Sequence, residues 1–256
     1  ILPAYMDAPA AMADGAIEIH PGTPNVYYEQ NHIKGGDVEP FFSNGNYEVV
    51  SGEYYTQRQP HLNIEPDVGF AYLNDAGKLV IHSKSITIHL HIYMIAPGLG
   101  IEPENIILVQ NPAGGTFGYK FSPTLEALVG AAAITTGRPC HLHYNYAQQQ
   151  YYTGKRSPFW TKGKIAVDRE TKKIVASDLE YTVDHGPYSE FGDLLTLRGI
   201  QYWMAGYGIP NMRGKGYTVA TNHVWGSAFR GYGSPEIMFP AELLIDETAE
   251  KLGIDP

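Results

Sequence analysis

Two stretches of this chain carry nearly the same residues. One is Gly114-Gly115-Thr116-Phe117-Gly118-Tyr119-Lys120-Phe121-Ser122-Pro123 and the other Gly226-Ser227-Ala228-Phe229-Arg230-Gly231-Tyr232-Gly233-Ser234-Pro235. Each opens on glycine, passes a phenylalanine and a Gly-Tyr pair, and closes on Ser-Pro ahead of a helical pattern. Glycines let a backbone come close to a ligand. A helix N-terminus adds unpaired N–H groups and partial positive charge. The combination is a general device for holding phosphate, oxo or other anionic groups. Two such loops imply one ligand gripped from two sides, with Arg230 as a fixed cation. Neither has the GxxxxGK[ST] or GxGxxG spacing of nucleotide-binding loops, so residue types alone lead to an anion or cofactor site and stop there.

Other residues invite chemistry less strongly. His89-Leu90-His91 and His141-Leu142-His143 would put two imidazoles on one face of a strand, but a metal site needs a third ligand and a supporting shell. On a helix, residues two apart do not face together. Asp184-His185 pairs an acid with a base, yet no serine in a nucleophile elbow accompanies it. Cys140, the single cysteine, reads as a small buried side chain. It excludes a disulfide framework, and an iron–sulfur cluster held by this chain alone.

The elements that must position the two loops follow from patterning. Strands are expected over 46–55, 68–73, 78–83, 106–110, 141–146 and 213–220, with a hairpin from 163–168 into 174–184 that turns at 169–173. A helix is expected after the first loop, with Ser122 as N-cap, Pro123 at its first position and Gly137 at its end. A second follows the other loop, with Ser234 as cap and Gly253 as stop. Residues 191–206 read as helical, residues 85–95 as a helix capped by Ser85, and residues 4–19 as a helix or connecting arm. Strands and helices mix without strict alternation, which favours an α+β fold. The expected organisation is a connecting tail over residues 1–20 and one domain over 21–256, built as two α+β lobes with a boundary near residue 155.

Composition narrows the class. The 256 residues carry 18 Lys and Arg against 27 Asp and Glu, a net charge of −9. A nucleic-acid partner would call for a basic face. No apolar run is long enough to span a bilayer, and the first residues lack the basic region of a signal peptide, so a cytoplasmic protein is expected. The chain begins without an initiator methionine and reads as a piece of something longer or a processed product.

Seven phrases carry a resemblance: GGTFGYK at 114–120, AFRGYGSP at 228–235, RQPHLNIEP at 58–66, GYKFSPTLEALV at 118–129, TGKRSP at 153–158, DHGPYSEFGDLLTLRG at 184–199 and IPNMRGKG at 209–216. Together they resemble the molybdenum hydroxylase family, the group of xanthine oxidase and the aldehyde oxidoreductases. The nearest likeness is to flavin-free bacterial members of the Desulfovibrio type. The resemblance covers nearly the whole chain and corresponds to the first molybdenum-cofactor domain of the large chain. It implies oxidation of aldehydes to carboxylic acids with water as the oxygen source, and electrons passed to 2Fe-2S clusters in other domains. It also implies molybdopterin, as the cytosine dinucleotide, no FAD, and a homodimer. The protein supplies binding, orientation and electrostatics.

Residue by residue, the resemblance assigns Gly114, Gly115, Thr116, Phe117 and Gly118 to the loop beside the metal, and Ala228, Phe229, Arg230 and Gly231 to the loop that approaches the pterin. Where purine hydroxylases have a glutamate and a glutamine, this chain has Phe121 and Ile86. Unpaired polar groups of a purine would cost about 1–3 kcal/mol each against such a wall, whereas an apolar wall suits an aldehyde. Phe121, Phe191, Leu194 and Tyr232 are thus candidate pocket walls, and Arg198 a candidate orienting charge. The second loop lacks the cysteine of carbon monoxide dehydrogenases. The family's catalytic glutamate lies downstream and its cluster cysteines upstream, so this chain by itself is not expected to turn over. Glu236 and Glu242 do not match the base. The competing expectations are an N-heterocycle hydroxylase and a non-catalytic binding module that keeps the fold.

Overall fold

The computed structural model describes residues 2–256. In chain order its strands are β1 (Val26–Lys34), β2 (Tyr47–Thr56), β3 (Val68–Leu73), β4 (Leu79–Ser83), β5 (Ile106–Gln110), β6 (Cys140–His143), β7 (Phe159–Asp168), β8 (Ile174–Gly186) and β9 (Asn211–Ala220). Its helices are α1 (Ala8–Ala11), α2 (Glu39–Ser43), α3 (Ile88–Leu99), α4 (Glu126–Thr136), α5 (Tyr146–Tyr152), α6 (Gly192–Tyr202) and α7 (Ser234–Leu252). No helix among the described residues is long and apolar enough to cross a membrane. The fold is mixed α and β, as the patterning implied, and the chain forms two compact units.

The first unit takes the residues up to Gln59, Ser157–Gly226 and Gly231–Pro256. Its sheet has the order β1-β9-β8-β7-β2, in which only β8 and β9 run parallel. A parallel pair cannot be joined by a tight turn, and α6 supplies the crossover. Phe159, Ile165, Val167, Leu179, Tyr181 and Val183 from β7 and β8 form one core with Leu195 and Ile200 of α6 and Ile237 and Leu244 of α7. The β7–β8 hairpin turns where expected, because the Asp168 carboxylate accepts the N–H groups of Glu170 (3.0 Å) and Thr171 (2.7 Å).

The second unit takes Pro60–Arg156 and Ser227–Arg230. Its sheet has the order β5-β4-β3-β6, with β4 and β5 parallel and α3 as their crossover. Leu79, Ile81, Ile106 and Leu108 pack with Ile95 of α3 and Val129 and Ala133 of α4. Cys140 sits half-buried at the rim of this core.

Several boundaries differ from expectation, each for a local reason. Helix α4 begins at Glu126 rather than behind Ser122, because the Glu126 carboxylate itself accepts the N–H groups of Thr124 (2.8 Å) and Leu125 (3.1 Å). Ser85 does not cap α3; its hydroxyl sits 2.7 Å from Nδ1 of His91, and the helix follows Thr87 and runs through Pro97 to a left-handed Gly100. Ser234 lies inside α7, and its hydroxyl donates to Gly231 O at 2.7 Å. Strand β6 stops at His143, since Asn145 and Gln148 form a reciprocal capping box that starts α5. In the N-terminal arm only Ala8–Ala11 is helical.

Candidate functional site

The first Gly-rich loop leaves β5 and is held at both ends. At its start the N–H of Gly114 donates to the Glu65 carboxylate. At its far end Lys120, fully buried, lies 2.6 Å from Glu126 Oε1 and 3.1 Å from Asp67 Oδ2, both carboxylates equally buried. Thr124 adds hydrogen bonds to Lys120 and Asp67. Burial would raise the Glu126 pKa, but the charge and hydrogen bond of Lys120 outweigh it and hold the group at about 2. Between these anchors Phe117 adopts φ 52° and Gly118 φ 117°. A bulky residue with positive φ is an outlier, and such strain concentrates at functional sites.

The second loop reaches the first within the same unit. Ser227 N donates to Lys155 O at 2.8 Å, and Arg230 N donates to Phe117 O at 2.8 Å. The Ala228–Phe229 peptide lies so close over Gly118 that an added Cβ there would stand 2.5 Å from Ala228 O. The Arg156 guanidinium covers the Phe229 ring at 3.9 Å and donates to Arg230 O at 2.8 Å. Five predicted residues, Phe117, Gly118, Ala228, Phe229 and Arg230, thus come together. Gly114, Gly115 and Thr116 precede them on the same loop. Gly231 falls in the other unit, where its φ of 94° makes the turn into α7. Helix α4 offers no N-terminal anion site of the kind expected, since the Glu126 carboxylate already occupies the N–H groups of Thr124 and Leu125.

Residues absent from the predicted set support these loops. His61 is 6% exposed, and its Nε2 donates to Ala228 O at 2.7 Å. Its ring stands 4.4 Å from Phe229 and edge-on at 5.6 Å to Tyr119. Burial, with Lys155 and Arg156 nearby, pulls its pKa down to about 4. His61, Glu65 and Asp67 share one short segment. RQPHLNIEP holds the first two, and a basic or acidic residue between prolines was the available signal.

In the first unit, two of the predicted wall residues meet at the start of α6, and a third follows on that helix. Tyr232 Oη donates to Phe191 O at 2.7 Å, and Leu194, 45% exposed, follows on the first turn. Phe191 and Tyr232 both have positive φ, 55° and 43°. Arg198 is exposed one turn further, 3.5 Å from Gln201. Phe121 lies in the second unit, where its carbonyl accepts from Thr87 Oγ1 (3.1 Å) and His91 Nε2 (2.9 Å).

The other histidines singled out by the sequence are buried in the fold or stand apart. His185 is fully buried, 3.0 Å from Ser157 Oγ and 2.8 Å from Glu190 O, with its pKa lowered to about 4 by burial. This Ser-His pair lacks access for a substrate, and Asp184 turns instead to Arg58 at 3.0 Å. His91 is buried while His89 is exposed, and the rings of His141 and His143 lie 6.5 Å apart. Among the described residues no group of three or more His, Cys, Asp or Glu side chains could hold a metal ion.

Residues 19–256 match the model of the molybdopterin cofactor-binding domain. The chain is similar to an aldehyde oxidoreductase from Megalodesulfovibrio gigas, with 64% identity over 255 residues, covering 100% of this chain and 28% of that protein. It is similar to the crystal structure of the aldehyde oxidoreductase from Desulfovibrio desulfuricans, with 68% identity and a TM-score of 0.97, again over 100% of this chain and 28% of the other. A xanthine dehydrogenase/oxidase from Mus musculus is 30% identical over 233 residues, which covers 90% of this chain and 17% of that protein. The chain therefore spans less than a third of the length of these relatives.

Proposed function

We propose that this chain, which belongs to the molybdopterin cofactor-binding domain family, is the part of a longer molybdenum-dependent aldehyde oxidoreductase that holds one side of the cofactor. The observation that carries the reading is the meeting of Phe117–Gly118 with Ala228–Arg230. The residues present fit such a group. The missing side chain at Gly118 lets the Ala228–Phe229 peptide pack directly against it, and the hydroxyl of Ser227, 3% exposed, has no partner among the described residues. Gly114, Gly115, Thr116, Phe117 and Gly118 would present backbone from one side, and Ala228, Phe229, Arg230 and Gly231 from the other. When bound, the cofactor supplies two-electron oxidation of an aldehyde with an oxygen atom from water.

The chain's own residues orient and exclude. Phe121 in the second unit, and Phe191, Leu194 and Tyr232 in the first, would each offer apolar surface to a substrate, and Arg198 a charge for its polar end. The base and the 2Fe-2S clusters would come from other parts of the longer protein. The cytosine dinucleotide form, the lack of FAD, a homodimer and a cytoplasmic location complete the proposal, supported by the resemblance to flavin-free bacterial enzymes.

Steady-state kinetics of the complete protein test the substrate class. Aldehydes are expected to be oxidised with a kcat/KM at least about thirtyfold above purines, the penalty of two unpaired polar groups at about 1–3 kcal/mol each. Equal or better turnover of purines would replace the aldehyde with an N-heterocycle.

A further inference from the structure

We propose that residues 61–67 act as a strap that sets the approach of the two Gly-rich loops, with His61 as the positioning residue for the second. The proposal rests on the reading that those loops hold the cofactor. The strap touches three points: His61 Nε2 holds Ala228 O at 2.7 Å, Glu65 accepts the N–H of Gly114, and Asp67 lies 3.1 Å from Lys120 Nζ. It therefore fixes the start and end of the first loop and the middle of the second.

The Ala228 contact controls more than distance. A trans peptide is planar, so anchoring the Ala228 carbonyl on His61 turns the Phe229 N–H to the opposite side. Rotation of that peptide would also disturb its seat over Gly118, whose missing side chain permits the approach. The imidazole is a suitable holder. It is clamped between Tyr119 and Phe229, and burial, helped by Lys155 and Arg156, disfavours a second proton on it, so its one N–H goes to the carbonyl.

The test uses the complete protein with its cofactor and three variants: His61→Phe, which keeps a ring but loses the donor; His61→Gln, which keeps an N–H; and Glu65→Leu, which keeps bulk but loses the acceptor for Gly114. Amide hydrogen exchange at Gly114 and Arg230 reads the strap, and molybdenum retained after gel filtration reads the site. For His61→Phe, exchange at Arg230 is expected to rise about tenfold and molybdenum retention to fall about tenfold, the effect of one buried acceptor left unpaired. His61→Gln is expected to restore both to within about twofold of the unsubstituted protein. Glu65→Leu is expected to raise exchange at Gly114 and to leave Arg230 unchanged, and it decides the matter if His61→Phe fails to fold. Unchanged exchange in Glu65→Leu, or His61→Gln as defective as His61→Phe, would overturn the strap. Absence of molybdenum from the unsubstituted protein would instead sink the cofactor reading, and the exchange data would still judge the strap.

Discussion

Replacing Gly118 by alanine is expected to empty the site of cofactor while leaving the rest of the protein folded. The added Cβ would stand 2.5 Å from Ala228 O and 2.8 Å from its carbonyl carbon. Those are backbone atoms held by His61, so they cannot swing aside as a side chain would. The φ of 117° adds to the penalty, since an L side chain in a strained backbone region costs about 1–3 kcal/mol. The two loops would part, and the hydrogen bond from Arg230 N to Phe117 O would go with them. Molybdenum content per protein is expected to fall by about tenfold or more, each factor of ten being about 1.4 kcal/mol, with the far-ultraviolet circular dichroism unchanged. Wild-type molybdenum content in Gly118→Ala would mean that the contact between the loops is not part of the site.

Lys120→Met is expected to be the most destabilising single change in the second unit. Methionine fills a similar volume, but it leaves Asp67 and Glu126 buried without their cation. Breaking one partner from a buried ion pair costs about 3–5 kcal/mol. The pH dependence gives the mechanism away. In the native protein the folded pKa of Glu126, about 2, lies below its ordinary 4.5. That contribution to stability is full above the ordinary value and is lost as pH falls through the folded one. Without Lys120, the burial that raises the Glu126 pKa is opposed only by hydrogen bonds from Ser83 and the backbone, so the pKa rises from its native value and the variant gains from protonation as pH falls. The difference in urea unfolding free energy between the two proteins is therefore expected to be largest at pH 7 and to shrink toward pH 4. A difference that does not vary with pH would point to packing rather than charge.

What the sequence revealed depended on whether an element carries its own punctuation. Strands β3 and β5 are bounded by Pro, Asn and Gly and were legible to the residue, as was the left-handed Gly137 that ends α4. Strand β1 was missed because it is a largely polar edge strand whose residues 31–34 are all exposed, so no alternation marks it. Helix α5 was missed for want of an apolar stripe, although Asn145 and Gln148 held the capping signature. The start of α4 was misplaced because Ser-Pro is a helix signal only when no nearby carboxylate competes for the same N–H groups, and here Glu126 does.

The two loops were legible because each repeats the other, and the structure brings Phe117 and Gly118 against Ala228–Arg230. Their supports were not. His61 and Ala228 are 167 residues apart, and nothing local in the sequence pairs them. Nothing in the sequence marks Lys120 as buried, and its place between two carboxylates exists only once the chain is folded. The strained φ at Phe117, Phe191 and Tyr232 likewise has no sequence mark, yet all three are residues that the resemblance places at the site.

The central claim is that Phe117–Gly118 and Ala228–Arg230 together hold a molybdenum cofactor. Its most direct test is elemental analysis of the complete protein as isolated, with acid release to detect CMP. The account predicts close to one molybdenum per copy of this chain, accompanied by CMP. A well-folded complete protein with no molybdenum would contradict it and leave the two loops to another ligand.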